Sequence, residues 1–586
     1  MSKGVRFGRT TDLLETRLPA WRSRFVLLCI LLAFGGLILR AAYLQIVSDD
    51  FLQQQGAKRM ERTLPLHASR GTLFDRNNVV LAQSIPAQAI WYDGRKTKDA
   101  TDAELTQLAK LLGMNSSRLI QQVRGDEKRA FVYLERQVEP DLAKQVKALK
   151  VPGVGFLTEN KRYYPLGETT AHLVGFTNLE DSGQEGLELA FNDRLTGEDG
   201  ERSVLRDRLG NIIEDVREIR PPVNGQDMVL SVDSDIQYIV SAALKKAVEY
   251  HAADAGAAVV LDAKTGEVLA LASVPTYDPN DRADLHGPDL RNRVFTDTFE
   301  PGSTLKPFTV SLALDKGFVK PDSMIDTGKG YFSIGPATIH DTHAHGLITV
   351  GQVIQFSSNI GSSKIALSMP SKYMWDNFHL LGFGQAPNVH FPGAVAGRVR
   401  PWNSWRPIEQ ATMSYGHGIA VSLIQLAQAY TVFANQGYFV PVSLLKRKPG
   451  EEPRTHQVFS EKTAAEMLHM LELAAGPDGT APKSQVAGYR VAGKTGTAHK
   501  DLNGRYVDKY VASFVGLAPV SNPRIIVAVM VDNPTKNGYY GGEVAAPVFS
   551  VITKNVLTKM DVQPDAIQNT QSLKKYVQAP SGRAAL

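Results

Sequence analysis

A serine and a lysine stand three residues apart in the stretch 300–308, which reads EPGSTLKPF. The pair follows a Pro-Gly turn and precedes an apolar run, 308–314, so a helix is predicted to open here. Residues i and i+3 share one helix face, which would bring Ser303 and Lys306 together. A serine becomes a nucleophile when a base removes its proton, and a lysine held neutral by burial or a nearby cation can be that base. Free N–H groups at the helix start suit a developing oxyanion.

The same Ser-x-x-Lys pattern occurs twice more, at 443–446 and 572–575. The first copy lies in an extended run after Pro441 and the second in a polar tail. A single match of this kind is typical of a capping serine and a solvated lysine. Other clusters in the chain must therefore distinguish Ser303.

Two further polar clusters follow Ser303 along the chain. Ser-Ser-Asn occurs at 357–359, where a loop is predicted to run into a helix, and Lys-Thr-Gly-Thr occurs at 494–497 in a segment of extended character. Lys-Thr-Gly also occurs at 264–266, which we interpret as a hairpin turn between two apolar runs, 257–261 and 267–273. The sequence therefore favours the second Lys-Thr-Gly copy as the functional one.

Two other chemistries fit short segments. Residues 488–495 match the P-loop pattern Gly-x4-Gly-Lys-Thr, and the apolar run 525–532, which ends in Asp, resembles a Walker B strand. A P-loop needs a helix that begins at its lysine, whereas the glycines at 496 and 504 favour a strand and a hairpin. The segment 340–345, His-Asp-Thr-His-Ala-His, has metal-ligand residue types, but a solvated loop is the favoured interpretation.

Composition restricts the class of protein. The 586 residues are 43% hydrophobic and 21% charged, as in a globular protein with two or three domains. The net charge of +5 is small for this length and no nucleic-acid-binding motif is present, so no nucleic-acid partner is expected. Cys29 is the single cysteine, which excludes an intrachain disulfide and a Cys-based zinc site.

An apolar segment near the N-terminus predicts a transmembrane helix over 25–47. As a helix it would reach about 35 Å, enough to cross a bilayer. Six basic residues precede it and Ser-Asp-Asp follows at 48–50, so the positive-inside rule makes 1–24 a cytoplasmic tail and places the remainder outside. A cleaved signal peptide is the alternative, disfavoured by the long apolar core and the lack of a small-x-small cleavage site.

The remainder divides into two domains and a tail. Residues 48–225 predict a mixed α+β pedestal or interaction domain, with helical spacing over 102–123 that breaks at 113–115. Residues 226–560 predict an α+β domain with strands near both ends and helices between them, so that one sheet is assembled from both ends. Residues 561–586 predict a flexible C-terminal tail.

Together, the clusters at 303–306, 357–359 and 494–497 resemble the catalytic motifs of penicillin-binding proteins and β-lactamases. The chain is similar to class B penicillin-binding proteins, in particular to the FtsI-type division transpeptidases of Gram-negative bacteria. The similarity includes the membrane segment and further stretches of the pedestal and C-terminal region. These further stretches are 70–78, 162–186, Tyr-Tyr-Gly-Gly at 539–542 and Ala-Pro-Val-Phe at 546–549.

The chain departs from the family pattern at two places. Asn78 stands where Gly is common, although Asn also tolerates the left-handed conformation. Val-Ser-Leu at 421–423 stands where Thr-Pro-Leu is usual, which leaves the start of that helix open.

The resemblance implies a fold and a reaction. The fold would be a serine β-lactamase-like α+β transpeptidase domain with an antiparallel sheet, on a pedestal and a single-pass anchor. The reaction would crosslink peptidoglycan stem peptides at the division septum through an acyl-enzyme on Ser303, the target of β-lactam antibiotics, without metal or organic cofactor. A D,D-carboxypeptidase or β-lactamase-type hydrolase and a non-catalytic divisome scaffold or β-lactam sensor are the alternatives.

The resemblance also assigns catalytic roles. Ser303 would attack the carbonyl between two D-alanines, and Lys306 would take its proton. Ser357 would relay a proton to the leaving D-alanine, with Lys494 holding the local field. Asn359 would bind the substrate amide.

Substrate binding would involve the strand 495–497. Thr495 and Thr497 would bind the terminal carboxylate with Gly496 between them, and the N–H groups of Ser303 and Thr497 would form the oxyanion hole. The implied partners are stem peptides, β-lactams, an FtsW-type glycan polymerase and other division proteins, contacted through the membrane helix and 51–225. The implied location is the bacterial inner membrane at the septum, with the catalytic domain in the periplasm.

Overall fold

The computed structural model describes residues 20–47, 61–206, 212–281, 283, 285, 287–502 and 505–566. Most of the predicted cytoplasmic and C-terminal tails, the segment 48–60 and the Ser-x-x-Lys copy at 572–575 lie outside the described residues. The chain separates into two compact units, one of residues 1–68 and 198–223 and the other of residues 69–197 and 224–586.

The described residues form the following elements. The strands are β1 Glu61–Leu66, β2 Leu73–Phe74, β3 Val80–Tyr92, β4 Val132–Val138, β5 Val154–Tyr163, β6 Gly200–Arg206, β7 Ile212–Arg220, β8 Met228–Val229, β9 Ala255–Asp262, β10 Val268–Val274, β11 Met324–Asp326, β12 Tyr331–Ile334, β13 Ala337–His340, β14 Leu347–Thr349, β15 Tyr438–Phe439, β16 His456–Gln457, β17 Ala492–Leu502, β18 Arg505–Ala518 and β19 Ile525–Asp532. The α-helices are α1 Ala20–Ala42, α2 Gly94–Thr97, α3 Asp102–Leu111, α4 Ser116–Gly125, α5 Pro140–Ala148, α6 Ala171–Val174, α7 Gly186–Ala190, α8 Asn192–Thr196, α9 Ser234–Tyr250, α10 Arg293–Thr296, α11 Lys306–Asp315, α12 Val350–Gln355, α13 Asn359–Leu367, α14 Ser371–Leu380, α15 Pro407–Met413, α16 Leu423–Ala429, α17 Thr431–Ala434, α18 Glu461–Ala475 and α19 Gly541–Lys559.

The first unit contains the apolar helix and a small sheet. Helix α1 begins five residues before the predicted span and continues into a π-helical turn, Tyr43–Val47. Within the described residues, Ala20–Gln45 is the one helix long and apolar enough to cross a membrane. The sheet is antiparallel in the order β1-β6-β7.

The pedestal part of the second unit is held by a buried ion cluster. Glu188 accepts from Arg70 at 2.6 Å and from Arg162 at 2.7 Å, and all three side chains are buried. The cluster joins two of the stretches that resemble the family pattern, 70–78 and 162–186. The predicted helical pair is also confirmed, because α3 and α4 are separated by a break that includes Gly113 in the left-handed region, with φ +66°.

The C-terminal part of this unit is built on a five-stranded antiparallel sheet in the order β10-β9-β19-β18-β17. The predicted assembly from both ends is confirmed, since β9 pairs with β19 in a register that opposes Gly256 to Val531. Alternate strand residues face opposite sides, so Val259 and Val260 enter two different cores. The helices α9 and α19 pack on one face, and α10 and α16 pack on the other.

The left-handed turn and the helix start expected from the family pattern are both retained at the two positions where the sequence departs from it. Asn78 adopts φ +65°, the left-handed conformation that Gly would take. Helix α16 begins at Leu423 because Ser422 caps it and forms a capping box with Gln425, without the usual proline.

The P-loop alternative is excluded because Lys494 lies inside β17, where a P-loop requires the start of a helix. The extended character predicted at 494–497 is confirmed, because the strand runs from Ala492 to Leu502. The Lys-Thr-Gly copy at 264–266 forms the turn between β9 and β10, as predicted.

Candidate active site

Ser303 lies in a turn that the sequence predicted as the start of an α-helix. The structure instead has a 3-10 turn, Gly302–Leu305, followed directly by α11, whose first residue is Lys306. The Thr304 hydroxyl donates to the Pro301 carbonyl at 2.7 Å, and the Thr304 carbonyl accepts from the buried Tyr430 hydroxyl at 2.8 Å. The turn is therefore fixed by neighbours on both sides.

The Lys306 side chain connects two of the polar clusters. Its Nζ lies 2.9 Å from Oγ of Ser303, 3.0 Å from Oγ of Ser357 and 2.8 Å from Oδ1 of Asn359. It also donates to the Ser357 carbonyl. Burial, and secondarily the charge of Lys494, lower the pKa of Lys306 well below its ordinary value. A lysine in this state can accept a proton from the adjacent serine.

Ser357 and Asn359 flank the start of α13. Ser357 has φ +61°, a strained conformation for a residue with a Cβ, and such strain persists only where surrounding contacts impose it. The Ser358 side chain is buried and caps the helix by accepting from Gly361 N at 2.9 Å. Asn359 donates from Nδ2 to the His340 carbonyl at 3.0 Å. The outer members of the Ser-Ser-Asn cluster face Lys306, and the middle one supports the backbone.

The third cluster lies on β17 beside the Ser303 turn. Lys494 is completely buried, and burial lowers its pKa to about 7. A Cβ on Gly496 would lie 2.7 Å from the Pro301 carbonyl oxygen, so glycine permits the strand to pass this close to the turn. Oγ1 of Thr497 accepts from Gly541 N, the first residue of α19, at 3.0 Å. The strand is thus fixed at the edge of the cleft.

The cleft has a volume of about 620 Å³. Its lining includes Ser303, Ser357, Asn359, Thr495 and Thr497 from the predicted set. It also includes residues outside the three sequence clusters, among them Tyr415, His417, Thr480, Tyr510, Tyr539 and Tyr540.

Two of these further residues are close to the buried amine. The ring of Tyr415 lies 5.9 Å from Nζ of Lys306, and burial raises the pKa of Tyr415 to about 12, which keeps its hydroxyl protonated. Burial, with the charge of Lys306, lowers the pKa of His417 to about 4, so its imidazole is neutral at pH 7. Of these further residues, Tyr539-Tyr540 had a sequence signal as part of the Tyr-Tyr-Gly-Gly stretch; the other residues had none.

The remaining candidate segments do not form comparable sites. Lys264 is exposed and its Nζ donates to the Ala434 carbonyl. In the Ser443–Lys446 copy, the serine hydroxyl donates to the Leu445 carbonyl and the lysine to the Arg76 carbonyl, so the pair makes no mutual contact. Among the described residues no group of three or more His, Cys, Asp or Glu side chains could hold a metal ion.

Comparison with known proteins gives two family matches. The family model described as "Penicillin binding protein transpeptidase domain" matches residues 256–554, and "Penicillin-binding Protein dimerisation domain" matches residues 65–230.

Relatives match over nearly the full chain. The "Probable peptidoglycan D,D-transpeptidase PenA" of Neisseria meningitidis serogroup A is 44% identical over 547 residues, 93% of each chain. The "Peptidoglycan D,D-transpeptidase FtsI" of Escherichia coli K12 is 40% identical over 556 residues, 94% of this chain and 93% of the relative. Among solved structures, the transpeptidase domain of Burkholderia pseudomallei penicillin-binding protein 3 is 52% identical with a TM-score of 0.54, covering 57% of this chain and 97% of the other.

An antiparallel sheet flanked by helices, with a buried lysine beside a serine in its cleft, is the architecture of a serine-type transpeptidase domain. With both family matches, the chain belongs to the class B penicillin-binding proteins.

Proposed function

We propose that this protein is a peptidoglycan D,D-transpeptidase that crosslinks stem peptides at the division septum through an acyl-enzyme on Ser303. The observation that carries the proposal is the 2.9 Å contact between Lys306 Nζ and Ser303 Oγ at a cleft of about 620 Å³. The relatives named as D,D-transpeptidases support the same reaction class.

The first half-reaction forms the acyl-enzyme. Neutral Lys306 takes the proton of the Ser303 hydroxyl as Oγ attacks the carbonyl between the two terminal D-alanines. The tetrahedral intermediate carries an oxyanion, which the backbone N–H groups of Ser303 and Thr497 would stabilise. The C–N bond then breaks, and the departing D-alanine amine receives the proton from Lys306 through the Ser357 hydroxyl, which lies 3.0 Å from Nζ.

The second half-reaction closes the crosslink. The amine of a neighbouring stem attacks the Ser303 ester, and its proton returns through Ser357 to Lys306. Collapse of the intermediate expels Oγ of Ser303, which regains the proton and restores the free enzyme. In the β-lactam reaction, the four-membered ring amide replaces the D-alanyl amide and the same first half-reaction gives a long-lived ester.

Substrate orientation comes from the cleft edges. The hydroxyls of Thr495 and Thr497 would receive the terminal carboxylate, with Gly496 giving the substrate backbone close access to the strand. The electrostatic field of Lys494, which is buried and lies 3.4 Å from Oγ1 of Thr495, would favour that negative charge when the lysine is protonated. Asn359 would hold the substrate amide on the opposite edge.

The anchor and the pedestal support a proposed location and proposed partners. The positive-inside pattern supports a cytoplasmic N-terminus and a periplasmic catalytic domain on the bacterial inner membrane. An FtsW-type glycan polymerase and other division proteins are the proposed partners, with contacts through the membrane helix and the pedestal.

The test uses the full chain in detergent. Incubation with benzylpenicillin should add one antibiotic mass, and peptide mapping should place it on Ser303. Ser303→Ala should remain folded but lose both the adduct and the crosslinked product formed from stem peptides and an amine acceptor. A penicillin adduct that persists in Ser303→Ala would overturn the nucleophile assignment. Release of D-alanine without crosslinked product would instead favour a carboxypeptidase, and neither product would favour a scaffold or sensor.

A further inference from the structure

A second cavity, with a volume of about 560 Å³, lies in the same compact unit as the cleft. Its described lining residues are all different from those of the cleft. Buried residues of α16, β15 and the turn after α14 form its inner part, and exposed residues of the segment 451–456 form its rim. The volume is within the range of sites that hold small molecules.

One buried amide in this cavity has no partner. The Gln428 side chain lines the cavity, the residue is only 8% exposed, and its amide makes no hydrogen bond within the part of the chain that the structure describes. Gln425, one turn earlier on α16, differs, because its Nε2 donates to three backbone carbonyls. A buried polar group without a partner is costly, so the Gln428 amide has an unused capacity to bind a ligand.

Gly382 leaves this amide open to the cavity. Gly382 is also a lining residue, and its φ of +82° favours glycine. A Cβ there would lie 3.8 Å from Nε2 of Gln428 and 3.5 Å from the Phe439 ring. Since residue 382 has no side chain, the Gln428 amide and the Phe439 ring are accessible from the same space.

The rim of the cavity carries both signs of charge. The Arg447 guanidinium donates to backbone carbonyls, and Arg454, Glu451 and Glu452 are exposed lining residues. Among the described side chains, none of these four has an ion-pair partner. Two guanidinium groups and two carboxylates are therefore available at one rim, which is complementary to a ligand that carries one charge of each sign.

We propose that this cavity is a binding site for a short peptide whose amino and carboxyl ends are both free. A primary amide presents a C=O and an N–H side by side, so Gln428 can pair with the N–H and C=O of the peptide backbone. Arg447 and Arg454 would receive the carboxylate, and Glu451 and Glu452 the ammonium. The site is separate from the reaction proposed at Ser303 and does not depend on it.

The experiment is isothermal titration calorimetry of the full chain in detergent, with L-trialanine as the probe. Trialanine should bind saturably at one site, and Gln428→Met should weaken its binding about tenfold, because the backbone of the peptide loses its hydrogen-bond partner. Gln457→Met is the matched control, since Gln457 is an exposed glutamine on β16 outside the described cavity lining, and it should leave the affinity unchanged.

Modified peptides test the two charged ends. N-acetyl-trialanine and trialanine amide each lack one charge, and each should bind about fivefold more weakly than trialanine. Arg454→Gln should weaken trialanine about as much and leave trialanine amide unaffected, because that peptide has no carboxylate for the guanidinium to bind. Arg454 is exposed, so this variant keeps the proposal falsifiable if Gln428→Met does not fold.

Three results would overturn the proposal. The first is no saturable binding of trialanine up to about 10 mM, and the second is wild-type affinity in Gln428→Met. The third is equal affinity for N-acetyl-trialanine, which would instead indicate the carboxyl terminus of a partner protein. Binding that disappears once benzylpenicillin occupies Ser303 would place the peptide in the cleft and would also overturn it. Failure of benzylpenicillin to acylate Ser303 would refute the proposed function alone, because the Gln428→Met comparison does not use the antibiotic.

Discussion

The Nζ of Lys494 lies 3.4 Å from Oγ1 of Thr495, the next residue on the same strand. Among the described residues this is the one hydrogen-bond partner of a completely buried amine. Burying an ammonium with so little compensation disfavours its charged form. The Thr495 hydroxyl, which is proposed to bind the substrate carboxylate, is therefore in contact with an amine whose burial is energetically costly.

Lys494→Ala should reduce the rate of β-lactam acylation by about a hundredfold or more, because a preorganised charge or donor in such a site contributes about 3 kcal/mol. Lys264→Ala is the matched control within the same tripeptide. Its side chain is exposed, so acylation should stay within twofold of the wild type. Stopped-flow acylation of both variants is the measurement, and equal defects would contradict the choice between the copies.

Lys494 should also make stability depend on pH. In the unfolded chain a lysine holds its proton up to a pKa of about 10.4, whereas burial lowers the pKa of Lys494 to about 7 in the folded protein. Between these values the unfolded state binds more protons, so the free energy of unfolding should rise with pH, by at most about 1.4 kcal/mol per unit. Urea titrations between pH 7.5 and 9.5 should show that the free energy of unfolding rises more steeply with pH in the wild type than in Lys494→Met. Parallel curves would show that Lys494 is not neutral in the folded state.

The Glu188 cluster should contribute strongly to pedestal stability. Glu188→Ala leaves two buried guanidinium groups without their carboxylate, and breaking a buried ion pair in this way costs about 3–5 kcal/mol. The urea midpoint should fall accordingly, while acylation of the folded protein persists. Glu168→Ala, which breaks an exposed pair with Lys245, serves as the control and should leave the midpoint close to the wild type. An unchanged midpoint in Glu188→Ala would refute this role.

The anchor orientation can be tested with reporters. An enzyme that is active only after export should be active when fused after residue 50, and a fluorescent protein at the N-terminus should remain cytoplasmic. N-terminal sequencing of the mature protein supplies the second readout. A chain that begins near residue 48 would show that the apolar segment is a cleaved signal peptide.

Much of this fold was accessible from the sequence because its elements carry local signals. The hairpin at 264–266, the helix break at Gly113 and the strand at Lys494 follow from turn chemistry and periodicity. The three clusters proposed as catalytic are distinguished by their order along the chain, which is a resemblance to a family rather than a physical derivation.

The remaining site features depend on contacts between distant segments. His417 and Thr480 have no local pattern that marks them, and they reach the cleft because separate loops converge there. Asp341 is adjacent to histidines in the sequence, which does not show the helix start that its carboxylate contacts 18 residues later. The sequence predicts a helix at Ser303 but not its 3-10 geometry, because local propensity does not separate 3-10 from α-helical turns.

The pairing of β9 with β19 has a consequence for how the protein acquires its structure during synthesis. Gly256 pairs with Val531, which is synthesised much later. The segment that carries Ser303 is therefore synthesised, and must remain soluble, before the sheet can close. Pairings of such large sequence separation are slow to form, and unpaired apolar strands aggregate readily. The β9–β10 hairpin, with nearly every residue buried in the final structure, therefore exposes apolar strands to water while the chain is incomplete.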